Sequence, residues 1–430
     1  MEFIFGCIRQ NITAREEIGL TEQLHVQPDA NSRGNLMNHL YRRNPDLIGF
    51  RSLAGGPLLP VGDYPGGCPD SRLAGRPTSV AAVYASTSGV VPPNDKQDMR
   101  RWGPYLPYLD WPSLGEGGTP MIELRSPSLK RLWVKAEWMN PTGSHKDRMS
   151  PLAVARALEV NAGGIVCASS GNAGVSLACF ASRAGLASRV FVTPSLPKPV
   201  QRALTTYGTE IVVVENSLER WRVMEKAVHE EGWFPLTNFH LPAVGSCAWG
   251  VEGYKTVAFE LANDCRDGLD AVIVPTARGD IIWGIAAGFF SLAGQGHWKG
   301  KVPKLIAVEP FPRISKVLRN EALIGDEFPG STKQASIAGT TATDQSLRAV
   351  VDTGGTAIAV SDESAAQAQR HLADQFGIYL ELCAAAAYAA IPQLLADGHL
   401  VEADKVALIG TSAGYRDPIA LDITTSRAKP

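Results

Sequence analysis

Residues 131–185 read RLWVKAEWMNPTGSHKDRMSPLAVARALEVNAGGIVCASSGNAGVSLACFASRAG, and this stretch decides the fold class. RLWVKAEW is a short apolar run that reads as a strand, and Asn140-Pro141 and Thr142-Gly143 after it force a turn. DRMSPLAVARALEVNA has helical length, with Pro151 tolerable only near the first turn. GGIVCA is a second strand, and AGVSLACFASRAG a second helix closed by Gly185. The alternation continues outward through RVFVTP, PVQRALTTYG, EIVVVE, DAVIVP, IIWGIAAGFFSLAG, KLIAVEP, AAQAQRHLADQFG and KVALIG. Strands alternating with helices predict an α/β protein, a mostly parallel sheet with helices on both faces. Ligands in such folds bind beyond the carboxyl ends of the strands, so the chemistry belongs in the loops just after them.

Toward the amino terminus the pattern fades. Residues 1 to about 109 include the Gly- and Pro-dense GGPLLPVGDYPGGCPD, which reads as loop, and TSVAAVYA as a single strand. Too few periodic apolar segments are present for a separate core, so an extension packing on the main body is expected. The chain of 430 residues carries 41 Lys and Arg against 43 Asp and Glu, a net charge of -2. That balance excludes a strongly basic nucleic-acid binder and an acidic disordered chain. The 7 cysteines, at positions 7, 68, 167, 179, 247, 265 and 383, are widely spaced, with no C-x-x-C. Neither a disulfide framework nor a metal site is expected, and a reducing compartment is. Glu2 and a very short apolar run do not make a signal peptide. The uncharged stretch from Ile281 to Trp298 holds four glycines, a glutamine and a histidine, so it reads as buried core rather than a membrane span. The expectation is a soluble cytoplasmic protein.

Four loops carry candidate chemistry. In NPTGSHKDR (140–148), Gly143 allows close approach to a ligand, and Lys146 falls in the first turn of the following helix. The helix dipole there lowers an amine's pKa, as a lysine nucleophile needs. Taken alone, the residues also suit an N-cap followed by a solvated Lys-Asp-Arg run. In ASSGNAG (168–174), backbone N–H groups and two hydroxyls converge on a helix start, an anion site, although plain N-capping by serine reads the same way. Dinucleotide binding fails here, because G-x-G-x-x-G is absent and RVFVTP ends without an acid. The loop Pro275-Thr276-Ala277-Arg278-Gly279-Asp280 is either a second anion nest or a simple turn. GTSAGYRD (410–417) puts small residues and a hydroxyl beyond a buried strand, suiting a flat ring or no ligand at all.

Together with LGEGGTP (114–120) and VEP (308–310), these loops resemble, in chain order, the fold-type II pyridoxal-phosphate enzymes, and threonine synthases in particular. The resemblance covers about residues 100–418, with RRWGPYLPYLD similar to the threonine-synthase lead-in. It implies two open, mostly parallel α/β domains with pyridoxal 5'-phosphate between them: residues 110–150 with 251–430 as the large one, and 151–250 as the small one. It implies Lys146 as the Schiff-base lysine and Asn172 as the partner of the cofactor's ring hydroxyl. Ser169, Ser170 and Ala173 correspond to the substrate-carboxylate loop. Thr276, Ala277, Arg278, Gly279 and Asp280 correspond to the phosphate cradle, and Thr411 to the hydroxyl at the pyridine nitrogen. A neutral hydroxyl there weakens the electron sink and favours elimination or replacement over transamination. An amino-acid substrate and a homodimer are expected, with no nucleic acid or membrane partner.

Several positions depart from the pattern. His145 replaces the usual Phe, and a His-Lys pair is similar to tryptophan synthase β chains, so His145 either packs on the ring or relays a proton. Ala277-Arg278-Gly279 is poorer in glycine than the usual cradle, and LELCAAAA around Cys383 replaces a Glu-Pro-Ser-Ser type segment. Gly250 stands near the arginine that threonine synthases carry before Gly253-Tyr254-Lys255-Thr256, and no Lys or Arg lies between Lys226 and Lys255. A phosphate ester would lack its bidentate partner unless Lys198 or Arg202 supplies it. The expectation is therefore β- or γ-elimination or replacement on a non-phosphorylated amino acid. The alternatives are threonine synthesis from O-phosphohomoserine and a non-catalytic cofactor-binding relative.

Overall fold

The computed structural model describes residues 41–85 and 96–416. Cys7, the amino-terminal residues read for a signal peptide, and Asp417 lie outside the described residues.

The strands among the described residues are β1 Leu47–Ser52, β2 Val80–Tyr84, β3 Met121–Leu124, β4 Arg131–Lys135, β5 Ile165–Ala168, β6 Ser188–Val192, β7 Glu210–Val213, β8 Phe234–Pro235, β9 Ala271–Pro275, β10 Lys304–Glu309, β11 Thr356–Ala359 and β12 Lys405–Ile409. They form a six-stranded sheet in the order β11-β10-β9-β12-β4-β3, a four-stranded sheet in the order β7-β6-β5-β8, and the pair β1-β2. Every pairing in the two larger sheets is parallel except β3 with β4. This is the α/β architecture the alternation predicts. β9 is buried at all five positions, because helices cover both faces of its sheet, and hence AVIVP is apolar without alternation. β12, late in the sequence, lies between β9 and β4, so the loops after β4, β9 and β12 emerge side by side.

Leu47, Phe50, Trp102, Tyr105 and Tyr108 join the core of the main body. Phe50 and Tyr108 contact the Trp249 ring at 5.2 and 5.7 Å, and Trp102 meets Phe259 at 5.1 Å. The uncharged 281–298 stretch forms helix Asp280–Gly294 with buried Ile281, Ile282, Ile285 and Phe289. No helix among the described residues is long and apolar enough to cross a membrane.

Candidate active site

The Lys-Asp-Arg run is not a surface feature. Asp147 and Arg148 are both fully buried. Asp147 accepts bonds from Thr142 N and Oγ1, each at 2.6 Å, which closes the loop on itself. Burial pushes the Asp147 carboxyl up to about 6 against these donors. Arg148 donates to Glu137 at 2.7 Å through Nε and Nη2, and to Glu260 at 2.7 and 2.8 Å. Lys135, at the end of β4, also reaches Glu260, at 2.8 Å. The charges neutralise one another, so the run tolerates burial and anchors the lysine loop from below.

Burial alone would raise the Glu260 pKa, but Arg148 and Lys135 outweigh it and hold the carboxyl below its ordinary value. The stabilisation is present above the unfolded-state pKa, about 4.3, and is lost as pH falls toward the depressed folded value. Glu260→Gln therefore melts below wild type at pH 7, and the gap narrows as pH drops below about 4. Thermal melts of both proteins across pH 3–7, about the range of carboxylate titration, check the sign.

Lys146 does not occupy the first turn of an α-helix. Residues His145–Arg148 form a 3-10 turn, and the α-helix begins at Ser150. The amine's pKa is nevertheless lowered, principally by burial and with help from Arg278, while Asp280 opposes the shift. Its Nζ lies 5.7 Å from the Tyr254 ring centroid. His145 packs 5.6 Å from the same ring. His145 donates its backbone N–H to Thr411 O at 2.9 Å, and its Nδ1 lies 3.1 Å from that oxygen. A carbonyl only accepts, so Nδ1 carries the hydrogen and Nε2 is the unprotonated nitrogen. Burial, with Lys146 next, lowers the pKa well below normal, leaving a neutral imidazole.

Helix Asn172–Arg183 starts beyond β5 with Gly171 as its N-cap and no side-chain cap bond. Serine capping is thus not what Ser169 and Ser170 do. Ser169 Oγ accepts from Gly171 N at 3.3 Å, and Ser170 Oγ from Thr193 N at 3.4 Å and Arg220 Nη1 at 3.5 Å. Ala173 is buried in the first turn. Asn172 Nδ2 donates to Glu381 Oε2 at 2.9 Å, and its Oδ1 accepts from Arg416 Nη1 at 3.0 Å.

The loop after β9 is propped from behind. Thr276 is fully buried and its hydroxyl donates back to Val274 O at 2.7 Å, so it does not line an open cradle. The Asp280 carboxylate is taken by Ser246 N and Oγ at 2.9 and 2.6 Å and by Gln345 Nε2 at 2.7 Å. Burial would raise its pKa, but Lys146, Ser246 and Arg278 prevail and keep it ionised. Arg313, which the sequence did not single out, donates to Thr276 O at 2.9 Å. Gly279 has φ +88°, and a Cβ there would fall 2.6 Å from Ser346 Cβ, so only glycine fits. What remains for an anion is the uncapped start of helix Asp280–Gly294 and Arg278, whose buried Nε has no hydrogen-bond partner among the described residues. Arg278 lies over the Trp221 ring at 5.6 Å.

Lys198 and Arg202 are exposed. Arg220, on helix Ser217–Glu231, is the cation that reaches Ser170. At Gly250 a Cβ would meet Met149 Cγ at 2.8 Å, which explains why no arginine is carried there.

These residues fit pyridoxal phosphate. They present an amine of lowered pKa, an uncapped helix start beside a guanidinium that an anion could occupy, a buried asparagine amide, and a buried Ser144 Oγ with no hydrogen-bond partner among the described residues. A family model for pyridoxal-phosphate dependent enzymes matches residues 112–412. Threonine synthase of Methanocaldococcus jannaschii is 31% identical over 338 residues, covering 74% of this chain and 81% of that one. Threonine synthase of Halalkalibacterium halodurans is 28% identical over 331 residues, covering 75% and 89%. Solved structures share the fold: an aspartate racemase that uses the same cofactor has a TM-score of 0.58 at 23% identity, over 70% of this chain and 91% of that one. An L-serine ammonia-lyase of Rhizomucor miehei has a TM-score of 0.57 at 21% identity, over 69% and 93%. The lysine loop, the uncapped helix starts and these likenesses agree, and the chain belongs to the pyridoxal-phosphate dependent enzymes, with threonine synthases among its relatives.

Proposed function

We propose that the protein catalyses elimination or replacement at Cβ or Cγ of an amino acid, with its cofactor held covalently by Lys146. The observation that carries this is the Lys146 amine: it is half-buried, its pKa is lowered by desolvation, and Asp280 and Arg278 from one loop and Glu381 from another act on its charge. Pyridoxal phosphate, when bound, draws electron density from the substrate's α-carbon. With the cofactor and substrate bound, Lys146 Nζ would take the α-proton. Ser169, Ser170 and Ala173 hold the substrate carboxylate at the start of helix Asn172–Arg183, and Asn172 donates to the ring hydroxyl. Thr411 would supply a hydroxyl for the ring nitrogen. The 276–280 loop holds the phosphate through Arg278 and the N–H groups beginning at Asp280. The neutral His145 offers Nε2 as a proton acceptor. The reading keeps the homodimer and cytoplasmic setting expected from the sequence.

Within this reaction class we favour a leaving group without phosphate, because position 250 has no room for an arginine and Lys255 is occupied by Glu252. One observation favours the second reading, O-phosphohomoserine converted to threonine: Arg220 reaches Ser170, and Arg278 lies over neighbouring Trp221. Specificity constants for O-acetylserine, serine, threonine, O-phosphoserine and O-phosphohomoserine, measured side by side, separate them. A missing charge-assisted contact of about 1.5–3 kcal/mol corresponds to about tenfold to a hundredfold in favour of a phosphate-free substrate. Phosphohomoserine giving threonine at the highest kcat/KM overturns the first reading in favour of the second. No turnover and no spectral response to any amino acid overturns both.

A further inference from the structure

Asn172 is held in a single orientation by groups from three distant segments, at residues 336, 381 and 412–416. Its Oδ1 accepts from Arg416 Nη1 at 3.0 Å and from Ser412 Oγ at 3.3 Å. Its Nδ2 donates to Glu381 Oε2 at 2.9 Å and to Ser336 Oγ at 3.4 Å. A guanidinium only donates and an ionised carboxylate only accepts, so the amide cannot be flipped without breaking both contacts. Of the two Nδ2 hydrogens, Glu381 takes one. The other has only the long Ser336 contact and is the one available to a ligand.

The lysine loop makes room for this arrangement. Gly143 has φ +79°, and a Cβ there would lie 3.2 Å from Arg416 Nη2 and 3.9 Å from Ala413 Cβ. Ala413 N donates to Gly143 O at 3.1 Å, and residues 144 and 412 are bridged. The guanidinium therefore runs between the loop that carries Lys146 and the amide that starts helix Asn172–Arg183. Asp147 and Glu381 are the acids whose charges act on it.

We propose that Arg416 is a positioning residue: it locks the Asn172 amide with an N–H directed at the cofactor's ring oxygen, and its charge, relayed through that amide, favours the oxygen's anionic form. This rests on the reading of Asn172 as the ring-hydroxyl partner. The test compares Arg416→Gln, Arg416→Lys, Asn172→Ala and the Asn172→Ala/Arg416→Gln double variant, all studied as holoenzymes. A nearby cation disfavours a second positive charge on the bound cofactor. Arg416→Gln thus raises the pH midpoint of the visible absorbance band by about one unit. Arg416→Lys keeps the charge and stays within a few tenths of a unit of wild type. In the Asn172→Ala background Arg416→Gln adds no further shift, because the arginine acts through the amide. Cofactor affinity of the apoprotein, measured by the same band, falls in Asn172→Ala and less in Arg416→Gln. If Asn172→Ala moves the band and Arg416→Gln does not, the Arg416 proposal is wrong and the reading of Asn172 stands. If Asn172→Ala changes neither band nor affinity, both are wrong. Should Arg416→Gln fail to fold, Arg416→Met, with a similar stem and no charge, carries the same expectation.

Discussion

Lys146→Ala loses turnover by more than about 10⁴-fold, the upper end of what one positioned proton-transfer group contributes. The loss exceeds that figure because, on the proposed reading, the same side chain also holds the cofactor, so the visible absorbance band of the covalently bound form disappears. The fold survives. Lys146 is half-buried and among the described residues forms no ion pair within contact distance; Asp280, whose ionised form it favours, keeps its hydrogen bonds from Ser246 and Gln345 when the lysine is removed. The melting temperature of the apoprotein accordingly stays close to wild type. Lys146→Arg is the matched control: it preserves charge and bulk, cannot form the covalent link, and is equally inactive. Near-wild-type activity in either purified variant removes the lysine loop from the mechanism.

Arg148→Ala has the opposite signature. It touches no substrate-facing group, but it leaves Glu137 and Glu260 buried without their common partner. Breaking a buried pair from one side costs about 3–5 kcal/mol, since the remaining charge stays desolvated. The melting temperature falls by about 3–6 °C, and cofactor affinity falls because the loop above loses its anchor. Arg148→Lys does not rescue, because an ammonium cannot bond two carboxylates in paired fashion. A loss below about 1 kcal/mol in denaturant titration means the two acids find other partners, and the network is not the anchor described.

These two neighbours show what a sequence discloses. The strand–helix alternation was legible because the central runs, IVCA and AVIVP, are buried along their length, and the order of the loops followed from it. The burial of Asp147 and Arg148 was not legible. Three consecutive charges read as solvated, and the carboxylates that neutralise Arg148 lie 11 and 112 residues away. The dipole argument for Lys146 failed for a local reason, since Thr142 and Asp147 close a 3-10 turn before the α-helix starts. At Thr276 the residue type suited a cradle, but the backbone of β9 offered its hydroxyl a nearer acceptor. Arg416 stood within a recognised motif, but its partner Asn172 is 244 residues away, a contact no periodicity encodes. Helix Ser217–Glu231 had a readable signal in SLERWRVMEKAVHEE, where Trp221, Met224 and Val228 recur at helical spacing.

The place of β12 matters for how the protein is made. The strand that joins β9 to β4 is the last of the six to leave the ribosome. Until residues 405–409 emerge, both neighbours expose unpaired backbone edges, and β9 is apolar throughout. At a synthesis rate of about 5–20 residues per second, the roughly 130 residues from β9 to β12 leave that edge open for several seconds or more. The nascent chain thus carries two unfinished half-sheets, each able to pair with another copy, and chaperone demand is concentrated in that interval. Truncation before residue 405 makes the interval permanent, so such fragments aggregate rather than fold into a smaller enzyme.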